Sequence, residues 1–82
     1  MPEAFDAGWA RRTADACEMA AVRLAEVRRG QSADAAPAVA GWLGPHRDHF
    51  DRDLGRTLRR SAHVEARLRR LADELRARAA SL

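Results

Sequence analysis

Apolar and small residues in the first third of this chain return every three or four positions. Phe5, Trp9, Thr13, Ala16, Ala20, Leu24 and Val27 share one face of a helical wheel, with Arg11, Asp15, Glu18, Glu26 and Arg29 opposite. That pattern predicts an amphipathic helix with a single buried stripe, and the alanines at its middle permit close helix approach. Its expected span is about residues 3–29. Pro2 suits an opening turn, and Glu3 and Asp6 stand where the helix dipole favours acids. Arg28, Arg29 and Gly30 read as a basic last turn followed by a stop.

A second seam follows. Phe50, Leu54, Thr57, Ser61, Val64, Leu68, Leu71, Leu75, Arg78 and Leu82 recur in steps of four and three, the spacing of antiparallel helix packing or a coiled coil. It predicts a helix over about residues 45–80, roughly 54 Å long at ~1.5 Å per residue. Thr57 and Ser61 make the middle of the seam small and polar, with Leu58 and Ala62 beside them. Residues 30–44 connect the two segments. A connection of that length without structure is unusual in a small domain, so one short helical turn is expected near Ala36–Ala40, ended by Gly41.

The predicted fold is all-α: residues 1–82 form one antiparallel two-helix hairpin. Its expected core and dimer interface are Phe5, Trp9, Leu24 and Val27 on the first helix, facing Phe50, Leu54, Val64, Leu68, Leu71 and Leu75 on the second. Two helices have one buried stripe each and no third layer, and so small a core supplies only a few kcal/mol. Self-association or a partner follows. Two hairpins packed face to face make a four-helix bundle that shelters the outer edge of each stripe.

Between the two periodic segments stands Gly41-Trp42-Leu43-Gly44-Pro45, with Phe50 eight residues past the tryptophan. An aromatic between glycines, just before a helix-opening proline, reads as a hairpin corner. Trp42-Leu43-Gly44 resembles the Trp-x-Gly signature of the WXG, or ESAT-like, family of small helical hairpins exported by type VII secretion systems. The resemblance in length and layout spans nearly the whole chain. It implies a non-enzymatic secretion substrate or the dimerisation partner of one, paired as a homodimer or as a heterodimer with another hairpin. It also implies that Trp42 and Gly44 contribute to export recognition, and that a type VII secretion ATPase is a possible partner. Many members carry a Tyr-x-x-x-Asp/Glu export signal, and this sequence has no tyrosine. A partner bearing the signal is therefore expected to carry it out. The interruptions at Gly30 and Pro37 and the basic pI of about 10.9 also depart from the better-known members.

Composition supports helix and points to a source. The chain holds nineteen alanines and fifteen arginines but no lysine, an alphabet of strong helix formers. Arginine without lysine reflects a GC-rich genome, such as those of actinobacteria. No run is apolar enough to span a membrane, and the N-terminus lacks the basic start and apolar core of a cleavable signal peptide. Cytoplasmic residence before export without a cleaved leader is the expectation.

The charge is uneven. Residues 1–44 carry five arginines and six acids, whereas residues 45–82 carry ten and six. Arg52, Arg56, Arg59, His63, Arg67 and Arg70 form a basic strip on the second helix, away from its leucines. A solvated face is the plainest reading of it. An acidic protein partner comes next and nucleic acid last, because no exposed aromatics alternate with the arginines. A basic helical cytosolic protein that binds nucleic acid non-specifically is the alternative function.

Candidate chemistry is sparse. His46, Arg47, Asp48, His49, Asp51 and Asp53 form the one polar cluster, and His49 and Asp53 share a face at i, i+4. Acids in a first helical turn complement the dipole, and metal ligation needs a further ligand that the spacing does not supply. No cofactor, metal or catalytic set is expected. Cys17 stands alone, so it forms no disulfide within the chain and reads as a small buried residue; a bridge across a homodimer is the minor alternative.

Overall fold

The computed structural model describes residues 6–82, which form two helices, α1 (Ala7–Ala38) and α2 (Pro45–Ala80). They pack side by side as an antiparallel hairpin measuring 61 × 19 × 17 Å. Asp6 caps α1. Its backbone is extended and its carboxylate accepts a 2.7 Å hydrogen bond from the Trp9 amide. The sequence pattern puts Asp6 inside the first turn; its side chain instead satisfies an amide that the helix start leaves unpaired. Pro2, Glu3 and Phe5, named above for the first turn and the core, lie outside the described residues.

The expected stop at Gly30 does not occur. The helix runs through Gly30 and Pro37 to Ala38, so the short turn expected at Ala36–Ala40 is mostly the end of α1 itself. Two local costs are outweighed. Glycine in a helix costs roughly 1 kcal/mol relative to alanine, and proline forfeits one backbone hydrogen bond. Against them stand the alanines at 33, 35, 36 and 38 and the packing that the extension provides. Had α1 ended at Arg29, the first turns of α2 would have no neighbour. Gly30 is exposed, and a Cβ added there meets nothing within 4 Å. Gly30→Ala therefore raises stability by about 0.5–1 kcal/mol, measured by thermal or denaturant unfolding.

The chain reverses at residues 39–44. Val39, 2% exposed, seals the corner, and its carbonyl is the hub of the turn. It accepts from the amides of Gly41 and Trp42, each at 3.0 Å, and from Arg47 Nη1 at 2.9 Å. Arg47 Nε also donates to both oxygens of Asp51 at 3.0 Å, which ties the corner to the first turns of α2. Gly44 precedes Pro45 with φ +86° and ψ −160°, a region open to glycine alone. Gly44→Ala strains the backbone by about 1–3 kcal/mol, which a lowered melting temperature of the variant reads out.

The seam between the helices is built from small residues. On α1 it comprises Ala10, Ala14, Ala21 and Ala25, all buried, with Cys17 partly buried among them. On α2 it comprises Leu68, Ala72, Leu75 and Ala79 near the C-terminal end and Phe50, Leu54, Leu58 and Ser61 towards the corner. The helix–helix contact is thus rotated by one residue from the expected stripe along much of its length. Trp9 and Val27 stay exposed, Leu24 is half-buried, and Ala10, Ala14 and Ala21 take the contact on α1. On α2, Val64 and Leu71 yield to Glu65 and Ala72, whereas Phe50, Leu54, Leu68 and Leu75 face α1 as expected. The reason is steric. Each helix carries a wide apolar arc, and two helices approach most closely when the smallest residues of that arc meet. Cys17 packs against Ala14, Ala72 and Leu75 within the hairpin.

Candidate functional site

One flank of the hairpin is closed by charge. Arg76 on α2 reaches across to Asp15 at 2.9 Å and Glu18 at 3.2 Å on α1. Farther towards the corner, Arg28 on α1 pairs with Glu65 and approaches Ser61 Oγ at 3.4 Å. Arg69 meets Glu65 from the same helix at 3.0 Å. These pairs fix the antiparallel register and mark one side of the molecule as polar. Hydrogen bonds from Arg28 and then Arg69 hold the Glu65 carboxyl below its ordinary value of 4.5. A depressed folded-state pKa gives stabilisation that is present at neutral pH. It is lost as the pH falls from the ordinary carboxylate value through the lower folded one. Acid unfolding followed by circular dichroism therefore loses part of its pH dependence in Glu65→Gln.

The opposite flank is apolar and open. At about 100° per residue, Trp9, Thr13, Ala16, Ala20, Leu24 and Val27 lie roughly a quarter turn from the α1 seam, on the side away from Asp15 and Glu18. The same rotation on α2 brings Thr57, Val64, Leu71 and Leu82 to that side, beside Leu68 and Leu75 at the seam's edge. Because the helices are antiparallel, the two outer stripes adjoin and form a single face. Trp9 is 40% exposed, Val27 57%, Val64 45% and Leu71 44%. An open groove walled by Val64, Arg67, Leu68, Arg70, Leu71 and Glu74 runs along the α2 part of it. The bulkier stripe that the sequence pattern assigns to the hairpin core is thus divided, with its larger members facing outward.

At the corner, Trp42 packs edge-to-face on Phe50, with ring centroids 5.8 Å apart and planes at 71°. It remains half-exposed and Leu43 is almost fully exposed, so the tip presents two apolar side chains to solvent. The bulk of Trp42 does not seal the end of the hairpin; the smaller Val39 does. Gly44 owes its place to its positive φ.

The basic strip is real as geometry. Arg52, Arg56, Arg59, His63, Arg67 and Arg70 all lie exposed on the back of α2. Arg56 contacts Asp53 at 3.6 Å, while Arg52, Arg59, Arg67 and Arg70 form no ion pair among the described residues. His49 and Asp53 meet at 3.3 Å. No group of three or more His, Cys, Asp or Glu among the described residues is placed to hold a metal ion. None of the described helices is long and apolar enough to cross a membrane.

Sequence reading misses the roles of Arg28, Arg47 and Arg76. Arg47 and Asp51 carry a local signal, being four residues apart on a helix start. Arg28 and Arg76 find their partners 33 or more residues away, which no local pattern reveals. No family model, curated protein or solved structure matches the chain.

Proposed function

We propose that this protein acts by protein–protein interaction: its open apolar face pairs with a second helical hairpin to complete a four-helix bundle. That pair is read as a type VII secretion substrate or the carrier of one, as the Trp-x-Gly resemblance implies. The observation that carries the reading is the set of exposed large apolar side chains, Trp9, Val27, Val64 and Leu71, gathered on one flank of a hairpin whose other flank is closed by ion pairs. Scattered singly such side chains are ordinary, but gathered on one flank of so small a protein they mark an interaction site. No tyrosine stands among these residues, so the partner supplies any Tyr-x-x-x-Asp/Glu signal. Trp42 and Leu43, exposed at the tip, are then available to the secretion machinery.

Sedimentation of the purified protein tests the pairing. Association that saturates at two hairpins is the expected result at high concentration and high salt; a protein that stays a folded monomer both alone and when co-expressed with a neighbouring hairpin would sink the reading. Trp42 separates packing from recognition. Trp42→Ala costs well under the ~3–5 kcal/mol of a fully buried tryptophan, because half its surface is already in water. Trp42→Phe keeps the melting temperature and lowers export in a secretion assay. Wild-type export of a well-folded Trp42→Phe protein would remove the recognition role.

Arg52, Arg59, Arg67 and Arg70, which form no ion pair among the described residues, favour a second reading, non-specific binding of nucleic acid. Its mark is affinity for duplex DNA of any sequence that falls steeply as salt rises. Binding that is absent at low salt disposes of it.

A further inference from the structure

We infer that the basic strip on the back of α2 binds the phosphates of duplex nucleic acid in a proton-dependent way, with His63 as the group that tightens binding as the pH falls. The inference rests on the second reading above and names the control of that same surface. Residues 56–70 carry six arginines and one acid, Glu65. That acid lies about half a turn from His63 at ~100° per residue, and Arg28 and Arg69 already hold it. The other acids near the strip stand at its ends. Asp53 meets His49 and Arg56 at one end, and Glu74 stands past Arg70 at the other. Between those ends the back of α2 is basic for about 21 Å at ~1.5 Å per residue.

His63 stands at the centre of this stretch. Arg59 and Arg60 lie one turn before it and Arg67 one turn after; all three are exposed, and none forms an ion pair among the described residues. Arg56, Arg59, Arg60, His63 and Val64 line an open groove there. The seam with α1 runs along the opposite side of α2, through Leu58, Ser61 and Glu65, so the groups around the imidazole come from α2 alone. His49 differs, because Asp53 lies 3.3 Å from it and already balances its charge. Phosphate beside an imidazole favours the protonated ring. Binding therefore takes up a proton and tightens as the pH falls through the range where histidine titrates, around ~6.5. The surface suits phosphate better than an acidic protein. Apart from Val64 at its border it offers arginine and histidine, whereas a protein interface buries an apolar core. Backbone phosphates require only cations, and the lack of aromatics along the strip favours a duplex over a stacked single strand.

Fluorescence anisotropy with a labelled DNA duplex of mixed sequence tests this at about pH 5.5 and about pH 8, on either side of histidine titration. One further phosphate contact steepens the log–log salt dependence by about 0.9, which amounts to roughly tenfold in affinity at about 0.05 M salt. The wild-type protein therefore binds about tenfold more tightly at the lower pH, with the steeper salt dependence. His63→Gln binds at the lower pH as weakly as wild type does at the higher one. His63→Arg binds tightly at both, and His49→Gln keeps the wild-type response. Both histidines are exposed, so each variant keeps the hairpin, as circular dichroism would verify. A His63→Gln protein with the wild-type pH response would overturn the inference and leave nucleic-acid binding standing. Absence of duplex binding at low salt at both pH values would overturn the reading on which it rests. Polyglutamate that competes more strongly than unlabelled duplex at the higher pH would make the strip a protein-binding surface, which also overturns the inference.

Discussion

Val64→Asp and Leu71→Asp together abolish association while leaving a folded hairpin. Each side chain is a little under half exposed in the hairpin, so the isolated protein loses little. In the bundle the same positions are dry, and a carboxylate buried there costs about 2–3 kcal/mol even with Arg60 and Arg67 one helical turn away. Two such changes weaken pairing by at least ~10³-fold, since ~1.4 kcal/mol is a factor of ten. Leu68 is a poorer choice, because it is half-buried against α1 and its replacement would damage the hairpin as well. Ala66→Asp on the far side of α2 is the control and leaves association unchanged. The measurement is sedimentation beside far-ultraviolet circular dichroism. A double variant that pairs as well as wild type would place the interface elsewhere.

Ala14→Leu acts on the other contact, within the hairpin. Ala14 is fully buried against Ala72 and Leu75, with Cys17 beside them. Three extra carbons there force the helices apart or the neighbours off their rotamers, at a cost of about 1–3 kcal/mol. In a domain of this size each kcal/mol lowers the melting temperature by roughly 4–8 °C, so the loss is clear. Leucine and alanine are both good helix formers, so propensity does not confuse the result. Ala77→Leu, on the exposed back of α2, is the matched control and stays within about 0.5 kcal/mol of wild type. An Ala14→Leu protein that melts like wild type would mean that the seam is not closely packed.

The two contacts explain which features are legible in the sequence. Helix content, the hairpin and the beginning of α2 at Pro45 are local matters: alanine and arginine propensity, a seam of three and four, and a proline that opens a helix after a glycine. Those signals lie within a few residues of one another, and periodicity reads them. The outer face is legible too, as the stripe through Trp9, Val27, Val64 and Leu71, but periodicity assigns it to the hairpin's own core. A helical wheel gives the width of an apolar arc without saying which part of it meets which neighbour.

Tertiary structure decided that division. Small residues permit the closest approach, so Ala10, Ala14, Ala21 and Ala72 took the internal contact and the larger side chains turned outward. Tertiary packing also carried α1 through Gly30 and Pro37, because the local stop signals cost less than an unaccompanied first half of α2 would lose. The ion pairs of Arg28 and Arg76 arise only once the chain has reversed, since their partners are remote in sequence and adjacent in space. Local pattern determined that there would be two amphipathic helices. The long-range contact determined how each is rotated, and hence which face is left for a partner.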